Sequence, residues 1–525
     1  MEDEASQNSY RSNSPNSIEY EEETSINEVE SKRSSRSDSE NSFDDPPLKR
    51  MKPIKEDRLS ELPDSMMTHV LSFLPVIDAV KTQLLSKRFR HIWASITSLL
   101  FPRIEVSDEF YAQFIINALM IHRGPLIKKL YLSRIGPSHD DVDPPINLWL
   151  QAVVIKRVEE LVLEIDNSLL SFRFPNSLLS CDTLREFSLT APEIELGSSV
   201  SWKSLKKLTL KSINNLDDDM IHKIVVGSPA LECLNLIECR GFSRIIIDSS
   251  NSNLRNLVIK CDYISYGSVD DYLEILAPKI TSLEISGYMG DKHCRLKEVS
   301  SLVRVALRFS MLTECEHYWD EDDNIVGEMS RAKLEKCEWT LLDLLRKTSH
   351  VEILSMGTWC TQVLAICELK RKPGILLKCK SLELNTYLVK SLPGIARLMQ
   401  KSPYLETLLV DMNYGHFHQV ESFDKSLDFS CENYWESKEK SLQNALQRLK
   451  VVELKGLDTS MNLMMELAEF LLQNAKCLEK LVYKPGAYAY KEYYRDDLRR
   501  LPVFNVINKL LSYPRSSPHA RVLLL

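Results

Sequence analysis

From residue 102 onward the chain repeats one arrangement of apolar positions: an apolar residue, two variable ones, then apolar-x-apolar. The strings are Ile127-Leu130-Leu132, Val158-Leu161-Leu163, Leu184-Phe187-Leu189, Leu205-Leu208-Leu210, Leu231-Leu234-Leu236, Leu254-Leu257-Ile259, Ile280-Leu283-Ile285 and Leu302-Val305-Leu307. Their first members from position 158 to 302 lie 21 to 26 residues apart. Alternation within each triplet predicts a short strand with one face inward. Between strings, Asp219-Met220-Ile221-Ile224-Val225 before Ser228-Pro229, and Ile395-Leu398-Met399 before Ser402-Pro403, read as helices that stop at or before the residue preceding proline. No such unit buries its apolar face alone, so successive units must stack, their strands forming a parallel sheet.

A period of this length with this string is that of a leucine-rich repeat. The expected fold class is therefore α/β: a solenoid whose short parallel strands line a horseshoe, with helical return segments. LECLNLIEC, ending at Cys239, fits the fuller form, in which the last position turns the chain out of the strand and bonds its backbone. The regularity breaks between 310 and 330, where ECEHYWDEDDNIVGE packs seven acidic residues around His317, Tyr318 and Trp319. Glu314, Glu316, His317 and Asp320 could be imagined on a metal, but no strand or helix period converges them. An acidic contact loop on the solenoid is the favoured reading, and it suggests a basic patch on whatever the loop touches. After a helix at 333–347, strings resume at Val351-Leu354-Met356, Cys379-Leu382-Leu384 and Leu405-Leu408-Val410, and a second irregular stretch covers 411–440.

Ahead of the repeats, residues 57–101 carry a denser pattern. Pro63 sits just inside the start of a helix whose Met66, Met67, Val70, Leu71 and Leu74 form one apolar stripe. Pro75 is expected to end it, and Asp78 to cap a second helix faced by Val80, Leu84 and Leu85. After Ser86-Lys87-Arg88 a third short helix holds Phe89, Ile92 and Trp93. Three short helices are too small to bury much core by themselves, so part of the apolar surface is expected to face a partner.

LPDSMMTHVLSFLP, then AV, then LLSKRFRHIW resembles the F-box, in the form that opens many plant proteins of the F-box/FBD/LRR family. The resemblance implies docking onto a Skp-type adaptor and, through it, onto a cullin-RING ubiquitin ligase. It assigns adaptor contact to Leu62, Pro63, Met66, Val70, Leu71, Leu74, Val80, Leu84 and Trp93.

Composition narrows the rest. A chain of 525 residues with 44% apolar and 27% charged residues can bury a large core and holds more than one domain. Its net charge of −8 argues against nucleic acid as a partner. No run of apolar residues is long enough to span a bilayer and no secretory pattern opens the chain, so the nucleus or cytoplasm is the expected compartment. There, the twelve cysteines read first as small buried hydrophobes. Residues 1–56 are Ser-, Glu- and Asn-rich; residues 1–50 alone hold 13 acidic and 6 basic side chains, and disorder is expected. Lys32-Arg33 with Arg36, and Lys49-Arg50-Met51-Lys52, resemble a bipartite nuclear-import signal; a solvated linker explains them equally well.

Residues 449–484 read as strand, turn at Gly456, amphipathic helix with a stripe of Leu463, Leu467, Phe470 and Leu471, and strand. The segment resembles the FBD domain that follows the repeats in many plant F-box proteins, and by pattern alone it is a repeat-like unit that caps the solenoid. The expected organisation is then an acidic tail (1–56), F-box (57–101), solenoid (102–410), FBD domain (411–500) and a C-terminal tail (501–525), in which Val503 to Leu511 is weakly helical and Val522-Leu523-Leu524-Leu525 has no evident role.

Catalytic motifs are missing: no GxxxxGK[ST], GxGxxG, GxSxG, HExxH or CxxC occurs, and with them go phosphate cradles, the serine elbow, zinc fingers and a RING-type transfer module. His416 and His418 share a loop, and Cys360 and Cys367 at helical i, i+7 spacing read as core. No cofactor or metal is expected. The leading expectation is a non-catalytic substrate receptor of a Skp-cullin-F-box ligase, with an unidentified target protein on the concave face of the repeats. The alternative is a protein-interaction scaffold on the same solenoid without ubiquitination; an enzyme would need a deep pocket of converging ionisable groups.

Overall fold

The computed structural model describes residues 61–104, 106–124, 126–135, 146–165, 172–197, 199–247, 253–261, 272–288, 293–310, 331–386, 388–412, 434–456, 461–485 and 506–525. All of these residues except Glu61 belong to one compact unit, residues 62–525. The acidic N-terminal segment with its basic clusters, the insertion at 311–330 and the loop carrying His416 and His418 lie outside the described residues.

Every apolar string becomes a strand of one parallel sheet. Among the described residues its fifteen strands follow sequence order, from Ser98–Phe101 through Lys129–Ile135 and Glu160–Ile165 to Lys480–Lys484 and Arg521–Leu524. Register is kept across repeats: Leu161 lies beside Phe187, Leu208, Leu234, Leu257, Leu283 and Val305 in turn. These residues are essentially inaccessible, and so are the string leaders Val158, Leu184, Leu205 and Leu254. Removing each such side chain from water contributes about 2 kcal/mol, and only the neighbouring repeats can supply the cover.

A second ladder runs along the strand entrances. The Glu159 carbonyl accepts from Arg185 N (2.7 Å) and Glu186 N, the Arg185 carbonyl from Lys206 N and Lys207 N, and the Lys206 carbonyl from Glu232 N and Cys233 N. The same double acceptance recurs at Lys380, Glu406 and Lys450. It satisfies backbone groups that a short strand would otherwise leave open at its end. Cys239 does what its place in LECLNLIEC suggests: the buried Sγ reaches the carbonyls of Leu210 (3.3 Å) and Ile237 (3.4 Å). Burial pushes its thiol up to about 12.

Helices Asp218–Val226 and Leu388–Gln400 occupy the expected return segments, and Arg331–Lys347 the expected helix after the insertion. Asp217 caps the first of these by accepting from Met220 N at 2.7 Å. Among the described residues of the middle repeats the return segments hold no helix. Arg244–Ile246, Tyr272–Leu276 and His293–Lys297 instead form a three-stranded parallel sheet behind the main one. Asp218 closes one side of it, taking Ser243 N (2.7 Å) and Arg244 N (2.8 Å) on one carboxylate oxygen. On the other side His293 Nδ1 lies 2.8 Å from Thr340 Oγ1.

The segment 449–484 folds as expected, with strand Val451–Lys455, positive φ at Gly456, helix Met461–Asn474 and strand Lys480–Lys484. Both strands continue the main sheet without a break. The apolar end left without a role supplies the last strand, Arg521–Leu524, beside Lys480–Lys484. Where two return helices, Thr358–Leu369 and Leu388–Gln400, cross most closely, the Thr361 carbonyl would sit 1.9 Å from a Cβ at Gly394. Gly394→Ala is therefore expected to cost about 2 kcal/mol or more, read as a lowered denaturation midpoint with an unchanged slope.

Candidate functional site

The helical unit at the head of the solenoid departs from the sequence reading in ways that expose its surface. Pro63 is the N-cap, not the first helical residue: helix α1 runs Asp64–Leu71, and the Pro63 carbonyl accepts from Met66 N and Met67 N. The helix ends at Leu71, before Leu74, because Ser72, Phe73 and Leu74 turn their N–H groups back onto its last carbonyls. Pro75 is the N-cap of α2 (Val76–Lys81) and not the terminator of α1. Asp78 lies in the first turn of α2 and pairs with Lys81 at 2.9 Å; it does not cap. Thr82–Leu84 continue as a 3₁₀ turn, and α3 (Phe89–Ile92) runs into another at Trp93–Ser95.

The expected single apolar stripe is two faces. Met67, Leu71, Val76, Ala79, Phe89, Ile92 and Trp93 turn inward, with Leu71 and Trp93 only 3% and 7% exposed. Leu62, Leu74 and Val80 pack half-buried against that core, while Pro63 is exposed. Met66 (50%), Val70 (43%) and Leu84 (84%) face out. Two large side chains outside the nine join them in exposure, Phe73 (69%) and Leu85 (73%). The helical period hid both: Phe73 falls after the helix has ended, and the pattern reads Leu85 only as part of the second helix's face with Val80 and Leu84. Arg88 staples this surface from below, donating from Nε to Asp64 Oδ1 (2.8 Å) and from Nη2 to the Leu62 carbonyl, so the start of α1 is tied to the entry of α3.

The unit is continuous with the solenoid. Ile96 and Leu99 are fully buried in the core that also holds Val76 and Ala79, and the first strand, Ser98–Phe101, follows directly. Across the junction Arg123 N donates to the Ala94 carbonyl (2.7 Å) and Lys128 N to Thr97 (2.8 Å). The buried imidazole of His122 donates from Nε2 to the Ile96 carbonyl (2.8 Å), while its own carbonyl accepts from Lys156 Nζ (2.8 Å). Desolvation holds this imidazole below its ordinary 6.5, the Ile96 bond opposing that shift only in part.

The other surface of interest is the open face of the sheet, which carries the alternate residues of each strand. Carboxylates there are paired: Glu186 with Lys207 (3.4 Å), Glu284 with Lys260 (3.1 Å), Glu383 with Arg304 (3.3 Å) and Glu453 with Lys484 (2.7 Å). Among the described residues no group of three or more His, Cys, Asp or Glu side chains could hold a metal, and no helix is long and apolar enough to cross a membrane. The Glu314, Glu316, His317 and Asp320 set lies outside them. Cys360 and Cys367 are buried, and desolvation raises the pKa of both thiols.

A three-helix unit with an outward apolar surface, fused to a parallel-strand solenoid, defines an F-box protein with leucine-rich repeats. Residues 59–100 match the family model of the F-box domain, and residues 118–491 match the model described as At1g61320/AtMIF1, LRR domain. The chain is 29% identical over 365 residues to the F-box/LRR-repeat protein At3g03360 of Arabidopsis thaliana, covering 67% of this chain and 70% of the relative. It is 27% identical over 435 residues to the F-box/LRR-repeat protein At5g02910 of the same plant, covering 81% and 88%. A third relative, the F-box/FBD/LRR-repeat protein At5g56420, is 28% identical over 251 residues, 47% of this chain and 59% of its own length. The chain belongs to the plant F-box/LRR-repeat family, a receptor type of protein, and the α/β solenoid expected from its sequence is the fold it has.

The His122 geometry has a definite sign in pH. The imidazole pKa is lower folded than unfolded, so below about 6.5 the unfolded chain binds the extra proton and stability falls as pH drops. Denaturation midpoints should decline between about pH 7.5 and about pH 5.5, and His122→Gln, which can still donate to Ile96, should flatten part of that decline.

Proposed function

We propose that the chain is the substrate-recognition subunit of a Skp-cullin-F-box ubiquitin ligase. The observation that carries this reading is the exposed cluster of Met66, Val70, Phe73, Leu84 and Leu85 on a unit of about 40 residues. A soluble surface does not keep five large apolar side chains so close in sequence in water without a partner to cover them. The partner implied by the F-box is a Skp-type adaptor, held through it to a cullin-RING ligase. In this reading Met66, Val70, Leu84 and the newly exposed Phe73 and Leu85 meet the adaptor. Pro63, Leu62, Leu74 and Val80 border the contact, and Leu71 and Trp93 hold the platform from beneath.

The repeats hold the target protein, and the chain contributes no reacting group: bringing target and ubiquitin donor together raises their effective concentration. Residues 449–484 serve as the FBD block, closing the repeat array. The complex works in the nucleus or the cytoplasm, with the basic clusters at 32–36 and 49–52 as the import signal in the first case.

Capture of a Skp-type adaptor by the purified chain tests the reading. Leu84→Asp together with Phe73→Asp should abolish capture and leave the melting temperature within a degree or two, since both side chains are already in water. Trp93→Ala should instead lower stability by about 3 kcal/mol or more. A wild-type chain that captures no adaptor removes the ligase assignment.

A further inference from the structure

The first two return helices of the solenoid end on an apolar surface that no described residue covers. Helix Asp108–Ile121 closes on Met120 (79% exposed) and Ile121, and helix Ile146–Ile155 closes on Val154 and Ile155 (74% exposed). Each pair is followed at the same offset by an exposed arginine, Arg123 two residues after Ile121 and Arg157 two residues after Ile155. The two helix ends are neighbours: Lys156 Nζ donates to the His122 carbonyl at 2.8 Å, and Ile127 N to the Lys156 carbonyl at 3.1 Å. Lys128, exposed at the entrance of strand Lys129–Ile135, adds a third positive charge.

The apolar surface is confined to these ends. One turn earlier the outer face is polar, with Gln113 Nε2 donating to Asn117 Oδ1 at 3.0 Å on one helix and Gln151 exposed on the other. The next repeat does not carry it on, since its short helix Asn176–Leu179 ends on buried Leu178 and Leu179. Among the described residues no carboxylate pairs with Arg123, Lys128 or Arg157: Glu159 is turned to Arg185 (3.9 Å), and Glu160 is held by Lys129. At three other repeats of the same rim a lysine is answered from the neighbouring repeat, Lys206 by Glu232 (3.1 Å), Lys380 by Glu352 (3.4 Å) and Lys450 by Glu406 (2.8 Å).

We propose that these helix ends are a docking face for one amphipathic helix of a partner protein, bearing two carboxylates seven residues apart with apolar side chains between them. Neighbouring helices stand about 10 Å apart, and seven helical residues rise about 10 Å, so a helix lying across both ends sets one carboxylate at Arg123 and the other at Arg157. Its apolar stripe then covers Met120, Ile121, Val154 and Ile155. Both arginines follow helix C-termini, whose partial negative charge weakens the hold on an anion bound by charge alone. The occupant must therefore bring apolar surface as well. A bilayer would bring it, but an anionic plane also meets the exposed Asp182 of the following repeat, which a single helix two repeats long does not reach. The inference goes beyond the receptor reading and does not require it, because this face is separate from the outward cluster at 66–85.

The test is selection, on the full-length chain, of a display library of amphipathic helical peptides with the positions flanking the apolar stripe randomised. Ile121→Asp together with Ile155→Asp serves for counter-selection, and should melt within a degree or two of the wild type because both side chains are already in water. The proposal requires enrichment of Asp or Glu at two positions seven residues apart. Arg123→Glu with Arg157→Glu should bind the enriched peptide at least about thirtyfold more weakly, and its Lys-substituted counterpart more tightly than the wild type does. Arg123→Gln with Arg157→Gln should show the same loss if the reversed variant fails to fold. Sedimentation with vesicles containing phosphatidylserine is the other arm. No acidic enrichment, equal affinity of the wild type and the Gln variant, or vesicle binding that the Ile121→Asp, Ile155→Asp variant loses while no peptide binds, would each overturn the proposal. Adaptor capture should be unchanged in every variant; its loss would make this face part of the adaptor contact and overturn a separate docking face.

Discussion

The structure depends on one constraint: a repeat with three inward apolar residues cannot bury them alone. Leu161 is covered because Leu130 and Phe187 stand on either side of it, and each of those needs its own neighbours. Stability is thus a chain of nearest-neighbour terms, and the array must be closed where it stops. At the first strand the closure is the helical unit, whose Val76, Ala79 and Ile96 belong to the same continuous core as the repeats. At the other end the strands Lys480–Lys484 and Arg521–Leu524 extend the sheet past the last expected repeat.

That shared core has a functional consequence. A helical unit that flexed freely on a linker would leave the distance from adaptor to target undefined. Here the backbone bonds from Arg123 to Ala94 and from Lys128 to Thr97, with His122 on Ile96, index the outward cluster to the open face of the sheet. Under the proposed function, whatever the open face holds is presented at a fixed place relative to the ligase.

Much of this was legible because the governing periods are short. The inward residues of a strand differ from its outward ones by one position, and the strings from Ile127 to Val410 locate the strands without help from tertiary contacts. The return segments were harder. HCRLK at 293–297 is too short and too polar to be told from a loop, and it becomes a strand only because Tyr272–Leu276 lies beside it. In the helical unit the stripe of Met66, Met67, Val70 and Leu71 was recognisable. Its division into a buried and an exposed face was not, since adjacent Met residues satisfy the same period and tertiary packing chooses between them. Phe73 and Leu85 escaped for another reason: each lies just past the end of its helical segment, at Leu71 and Leu84.

The central claim is that the outward apolar cluster, and not the repeats, meets the adaptor. Amide hydrogen exchange of the full chain with and without a purified Skp-type adaptor addresses it most directly. The account predicts slowed exchange within residues 64–85 and none across the strands from Glu160 to Lys484. Protection on those strands with residues 64–85 unchanged, or no complex at all, would contradict it.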